Sequence, residues 1–363
     1  MKKGKKLYYT ILVSMLIIAL GLNLVVNFKN YTHKEAQFYI EIAKWANKHE
    51  FYTASEFYYR VAQKINPNEL WMDFYVARNK VLKAQKIEQL TPHKIILLKD
   101  AIKLFQKEIA KYPREYSLYS NIGEAYYRLE DFDNAIKAFE KSISLNPKDT
   151  YSLYYLSYIN CECVHNYEKA LYYVDKYLEL KPNDYERYFG KAYALSGLNR
   201  NAEAVEWYKK YLEHNPRSVA ALVNVSGNEI SLARFNDADE HINRGLELNP
   251  YSAYLLSHKV DVLIAKGDFV NAEKYTNQIL GQNYWNGYIG FRKFAKIEYL
   301  KGNMFSAEEY IDKAKENAQE YFDKFCDGKN YDLNDKAANC RNRFEFIDEF
   351  EEIKSKVLSD DLT

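Results

Sequence analysis

The chain has 363 residues, 47% hydrophobic and 16% aromatic, with 35 tyrosines, 51 basic and 50 acidic residues. A net charge of +1 with no basic stripe lacks the electrostatic footprint of a nucleic-acid binder. With 13 glycines, no glycine-rich phosphate loop and no G-x-S-x-G elbow, the sequence offers no cofactor motif, no small-molecule substrate site and no nucleophile motif.

Residues 1–6 carry Lys2, Lys3, Lys5 and Lys6, and the run from Leu7 to Phe28 is 22 residues without a formal charge. As a helix that run covers about 33 Å, enough to cross a hydrocarbon core of about 30 Å. Only Lys29 and Lys34 follow closely, so the charge asymmetry predicts a single-pass membrane protein with a cytoplasmic N-terminus and the remainder outside the cytoplasm, periplasmic or extracellular. A cleaved signal peptide is the competing reading, with Ala19-Leu20-Gly21 as a small-residue site. The apolar run continues through Leu22-Asn23-Leu24-Val25-Val26, which favours an uncleaved anchor.

Beyond the anchor, Tyr39, Ala43, Tyr59, Ala62 and Pro67 suggest a first helical hairpin. A second joins a helix from Trp71 through Ala77 to one holding Ala101, Phe105 and Pro113. Between them, Leu90-Thr91-Pro92-His93 reads as an inserted loop containing a helix breaker. From Tyr116 the pattern sharpens. Tyr119, Ile122, Gly123 and Tyr126 fall on one helical face, Glu130 to Asn134 are turn and cap types, and Ala135, Phe139, Ser142 and Leu145 mark a second helix. Asn146-Pro147 ends it, because proline supplies no amide and pushes its predecessor out of the α region. Gly123 and Ala135 are expected where the two helices approach most closely.

The unit recurs. Pro147, Pro182, Pro216 and Pro250 are 35, 34 and 34 residues apart, and Ala135, Ala170, Ala204, Ala238, Ala272 and Ala307 keep the frame. A period of this length means a solenoid of stacked hairpins, and such a chain binds rather than catalyses. About eight hairpins fill residues 36–320, leaving 321–363 as a C-terminal segment.

Tyr119, Ile122, Gly123, Tyr126, Ala135, Phe139, Ser142 and Pro147 resemble the tetratricopeptide repeat (TPR) pattern of aromatic, Leu, Gly, Tyr, Ala, Phe, Ala and Pro. That resemblance implies an all-α, right-handed superhelical solenoid whose first helices line a concave groove through places two, five, nine, twelve and thirteen of each unit. On that register the groove carries Tyr127 and Arg128, Tyr155 and Ile159, Phe189 and Tyr193, and Val223 and Ile230. Asn121 and Asn224 stand at the sixth place, ready to bond a peptide backbone. Rigid aromatics bury large area at little entropic cost, which suits an extended peptide or an apolar helix; packing against adjacent hairpins is the alternative use of the same rings. The Lys and Asn clamp of chaperone-binding relatives is missing, since Ser120, Glu124, Phe189 and Tyr193 occupy its places.

The seven histidines have no zinc-hydrolase spacing, and each is expected to be solvated or satisfied by neighbours. Cys161 and Cys163 lie on different faces of a predicted helix and read as small hydrophobes. Cys326 and Cys340 flank a polar segment and would close it as a disulfide in an oxidising compartment; the sequence leaves the pairing open. Phe346, Ile347, Phe350, Ile353 and Val357 repeat at helical spacing among acidic residues, as a capping helix or one that docks a partner.

The expected function is that of a membrane-anchored scaffold or adaptor for protein partners, with no enzymatic activity and no metal. The alternatives are an accessory subunit of an envelope glycan or cell-wall enzyme, and a secreted peptide-binding protein if the anchor is cut.

Overall fold

The computed structural model describes residues 33–67, 71–281 and 287–325. These residues form sixteen α-helices and no strand. They fall into two compact units, Met1–Pro147 and Lys148–Thr363. The first holds α1 (His33–Lys48), α2 (Tyr52–Ile65), α3 (Met72–Gln85), α4 (Pro92–Lys111), α5 (Tyr116–Arg128) and α6 (Phe132–Leu145). The second holds α7 (Thr150–Tyr158), α8 (Tyr167–Leu180), α9 (Glu186–Gly197), α10 (Asn201–His214) and α11 (Val219–Ser231). It continues with α12 (Phe235–Leu248), α13 (Ala253–Ala265), α14 (Phe269–Leu280), α15 (Gly287–Leu300) and α16 (Met304–Phe325). Each odd-numbered helix pairs with the next as a hairpin, giving eight in all among the described residues.

The hairpin boundaries follow from the residues predicted to make them. Asp131 caps α6 by accepting from the Asn134 amide, and Asn166, Ser218, Ser252 and Asp268 cap their helices in the same way. Asn146 leaves the helical region at φ −136°, ψ 93°, where Pro147 requires it. Seven of the eight inner turns use one left-handed residue: Glu50, Glu130, His165, Asn199, Ala233, Gly267 and Gly302 have φ between 53° and 84°. There the chain reverses through bonds such as Asp131 N to Tyr126 O, 3.0 Å, closing the carbonyls that the first helix leaves open.

Where two helices cross, the small residues are obligatory. A Cβ on Gly123 would sit 2.9 Å from the ring of Phe139, itself fully buried, and Ala135 is also buried completely. Successive hairpins share cores. Leu118, Ile122 and Ala125 of α5 pack with Leu98, Ala101 and Phe105 of α4, and Met72 of α3 packs with Tyr58, Tyr59 and Ala62 of α2. Three carboxylates are buried in the first unit, Asp73, Glu108 and Glu124; of these, Asp73 meets Arg60 at 3.2 Å, Gln63 at 3.0 Å and Lys107 at 2.6 Å. Burial alone would push the Asp73 carboxyl up, but the bonds from Lys107 and Gln63 hold it below the usual range.

Two expectations are corrected. Pro92 does not break a loop; it occupies the first turn of α4, behind Thr91, whose Oγ1 accepts from the Lys94 amide at 3.2 Å. Proline fits that turn because its missing amide would be unpaired there anyway. Much of the extra spacing therefore lengthens a helix, 20 residues in α4 against 14 in α6. The second correction concerns Ile159–Cys163, a π turn that follows α7 directly. Ile159 is fully buried, so this residue belongs to the core and not to an open groove. Cys161 is buried beside Ala170 and Ala194, and burial raises its thiol well above the ordinary value.

Among the described residues no helix is long and apolar enough to cross a membrane. The predicted anchor at 7–28, the pair Cys326 and Cys340, and the helix from Phe346 to Val357 lie outside the described residues.

Candidate functional site

In the second unit the first helices of successive hairpins touch one another: the π turn meets α9, α9 meets α11, α11 meets α13 and α13 meets α15. They make one continuous face, tied across hairpins by side chains. Asn228 of α11 donates from Nδ2 to Ser196 Oγ of α9 at 2.9 Å.

The next tie joins α11 to α13. Ser226 Oγ donates its proton to the Val223 carbonyl at 2.9 Å and lies 2.9 Å from Nδ1 of His258 on α13. The hydroxyl has one proton, so when it goes to the Val223 carbonyl Nδ1–H is the donor to Ser226 and Nε2 the acceptor, the tautomer that satisfies both contacts at once. Burial lowers the His258 pKa to about 4, with Lys293 adding to the effect and Asp261 opposing it, so the ring is neutral near pH 7. Nothing bulky stands between this ring and α11, where a Cβ on Gly227 would come within 3.2 Å of His258 Cε1.

Beside it, Asp261 of α13 receives Lys293 Nζ of α15 at 2.7 and 2.6 Å on its two oxygens, with Lys296 at 3.4 Å. Burial works against the Asp261 charge, yet the two lysines hold its carboxyl below the ordinary range; the Lys293 ammonium is pushed down by burial, which Asp261 only partly offsets. Counting places from Ala253 and Tyr288, His258 and Lys293 stand at the sixth and Asp261 and Lys296 at the ninth. These are the places that the repeat register assigns to recognition.

The predicted aromatics divide into two sorts. Tyr155 is half-buried on α7, its ring 4.9 Å from Tyr151 and 5.1 Å from Tyr154. Phe189 and Tyr193 stack on each other at 6.4 Å, but Phe189 also meets Tyr208 at 5.5 Å and Tyr211 at 5.4 Å on the second helix of its own hairpin. Much of that ring is spent on packing, and burial raises the Tyr193 hydroxyl far above its usual pKa. Val223 and Ile230 pack against the core around Ala238 and Ile242. Asn224 is half-buried; its backbone carbonyl accepts from Asn228, while its side-chain amide makes no hydrogen bond among the described residues.

In the first unit Asn121 donates to its own helix, at Ser117 O, 2.7 Å. Tyr127 is half-buried with its ring 6.2 Å from Phe132. Arg128 pairs with the buried Glu124 at 2.7 Å, and Arg78 of α3 reaches the other oxygen of the same carboxylate. The eight predicted residues are thus shared between two units: Asn121, Tyr127 and Arg128 in the first, the rest in the second. Sequence reading missed His258, Asp261, Lys293 and Lys296, although the register could have found them, since they hold the same places as the residues it did select. Among the described residues no group of three His, Cys, Asp or Glu side chains is placed to hold a metal ion. A half-buried face of rings, amides and one imidazole acceptor can bind a peptide backbone and its side chains.

Residues 116–149 and 185–218 each match the family described as tetratricopeptide repeat. No curated protein matches the chain. Among solved structures, YrrB, described as a TPR protein with an unusual peptide-binding site, is 19% identical over 55% of this chain and 97% of its own, at a TM-score of 0.48. A tetratricopeptide repeat protein from Parabacteroides merdae is 13% identical over 78% of this chain and 99% of its own, also at 0.48. MamA from Desulfovibrio magneticus RS-1 is 18% identical over 47% and 96%, at 0.40. On the two family matches, the chain carries tetratricopeptide repeats in its third and fifth hairpins.

Proposed function

We propose that the chain is a membrane-anchored scaffold that captures an extended peptide or apolar helix of a protein partner on the first-helix face of its second unit. The repeats work on the extracytoplasmic side, and the apolar run 7–28 confines the complex to the membrane surface. One observation carries the reading: the first helices from the π turn to α15 form an unbroken face tied across hairpins by Ser196 to Asn228, Ser226 to His258 and Asp261 to Lys293. Tyr155, the Asn224 amide and His258 Nε2 then offer area, donor and acceptor to a ligand.

Photo-crosslinking in the native membrane tests this. A crosslinker in place of Tyr155 should yield a discrete protein adduct, and one in place of Tyr172, exposed on the second helix α8, should not. Tyr155→Ala with Asn224→Ala should abolish the adduct of a crosslinker placed at Ser257, the half-buried fifth place of the α13 repeat, while leaving helicity unchanged. Phe189→Ala is the poorer test, because it also opens the core around Tyr208. Equal labelling at Tyr155 and Tyr172 would remove the groove assignment.

A further inference from the structure

The outer face of the first hairpin differs from those of the second, third and seventh hairpins. Counted from the repeat frame, the third and tenth places of a first helix are those that pack onto the hairpin before. In the first unit they are Met72 and Asn79 on α3, and Leu118 and Ala125 on α5, all at most 2% exposed. In the second unit Leu255 and Val262 of α13 are fully buried against Ala238 and Ile242 of α12. On α1 the same two places hold Phe38, 54% exposed, and Trp45, 39% exposed. These are stacking residues with no described hairpin to stack on, seven residues and therefore about two turns apart on one face.

We propose that this face of α1 rests on the lipid bilayer surface, which takes the place of a preceding hairpin. The inference rests on the reading of 7–28 as a membrane anchor. Only residues 29–32 separate that run from α1, a reach of at most about 14 Å, so the helix starts close to the membrane. The side chains fit an interface: Trp45 and Phe38 on the outer stripe, with exposed Lys48 beside it and Lys44 paired with the exposed Glu41 at 2.8 Å. For both rings to meet the headgroup boundary, α1 lies along the surface instead of standing on it. The apolar run itself is a poor cover for Phe38 and Trp45. A helix that packs on one hairpin needs a polar outer face, and 7–28 has no charged residue on any face.

The test uses the full chain in its membrane, with Phe38 or Trp45 replaced singly by p-benzoylphenylalanine, an aromatic of similar shape. Mass spectrometry after illumination should find lipid adducts several-fold above those from the same probe at Tyr172. Adducts to a second copy or to residues 7–28, or no excess over Tyr172, would overturn the inference. Alkaline extraction of the same membranes separates the two readings. Release of the chain sinks the anchor and the inference together, whereas retention without lipid adducts at either position sinks the inference alone.

Discussion

Glu229 Oε2 lies 2.8 Å from Nδ1 of His241, and both side chains are buried. The same Nδ1 is 3.1 Å from the Asp237 carbonyl, which only accepts, so the ring nitrogen carries the proton and shares it between the two oxygens. Lys209 Nζ stands 3.2 Å from the other carboxylate oxygen. Glu229 holds the place where the repeat pattern has a tyrosine, so an ion-paired carboxylate does here what a phenol ring does elsewhere. Glu229→Ala leaves the ammonium without its acceptor and the imidazole with the Asp237 carbonyl alone, and is expected to cost about 3 kcal/mol. Glu229→Gln keeps an acceptor for Nδ1–H and should cost clearly less. Hydrogen exchange of the α11 and α12 amides in the full chain measures both; equal protection in the two variants would show the bond to Nδ1–H to be unimportant.

Ala233 bears a backbone cost that its neighbours in the frame avoid. Its φ of 54° is left-handed, where Gly267 and Gly302 hold the equivalent turns of the seventh and eighth hairpins. An L side chain meets the following carbonyl in that region, and glycine does not. Ala233 is exposed, so its methyl group contributes little packing in return. Ala233→Gly is therefore expected to stabilise the second unit by up to about 1 kcal/mol, a gain reduced by the greater freedom of glycine in the unfolded chain. A rise in the urea midpoint checks it, and a fall would mean that the methyl group is engaged.

The repeat frame was legible because its markers are local. Pro147, Asn146, Ala135 and Gly123 each act within one hairpin, and one hairpin is what a 34-residue period describes. Pro92 misled because the same residue ends a helix when it lies beyond the last turn and starts one when it lies in the first; Thr91 as a cap was the signal that distinguishes them. The π turn at Ile159 has no sequence marker, and Ile159, a predicted groove residue, is fully buried. The polar part of the face was hidden for another reason. Ser226 and His258 are 32 residues apart and Asp261 and Lys293 likewise, so their meeting depends on how hairpins stack. Identity of place within the repeat pointed to them, but charge pairing between hairpins is not written in either helix alone.

Two helical glycines should respond oppositely to the same substitution. Alanine is favoured over glycine inside a helix by about 1 kcal/mol. At Gly190 of α9 an added Cβ meets nothing within 4 Å, so Gly190→Ala should gain most of that amount. At Gly123 the new atom falls 2.9 Å from Cδ1 and Cε1 of Phe139, a ring with no exposed surface into which to move. Overpacking of this kind costs about 1–3 kcal/mol and outweighs the propensity gain. Protection of the α5 and α6 amides should fall in Gly123→Ala while that of α9 and α10 rises in Gly190→Ala. A stabilising Gly123→Ala would show that Phe139 has room the packing does not suggest.

His258 links the stability of the second unit to pH in one direction. In the unfolded chain its imidazole takes a proton near the ordinary value of 6.5; in the folded unit burial lowers that to about 4. Between the two, the unfolded state binds the extra proton, so stability is complete above about pH 6.5, declines as the pH falls, and loses nothing further from this group below about pH 4. The ring is half-buried, so the loss is set at about 2 kcal/mol instead of the larger figure that the whole shift would give. His258→Asn removes the titration and keeps a polar side chain at the sixth place, where Asn224 stands in the preceding hairpin. Urea midpoints followed from about pH 7 to about pH 4 should fall more steeply for the native chain than for His258→Asn. Parallel slopes would show that the imidazole is solvated in the folded unit, and that its Nε2 is no fixed acceptor on the first-helix face.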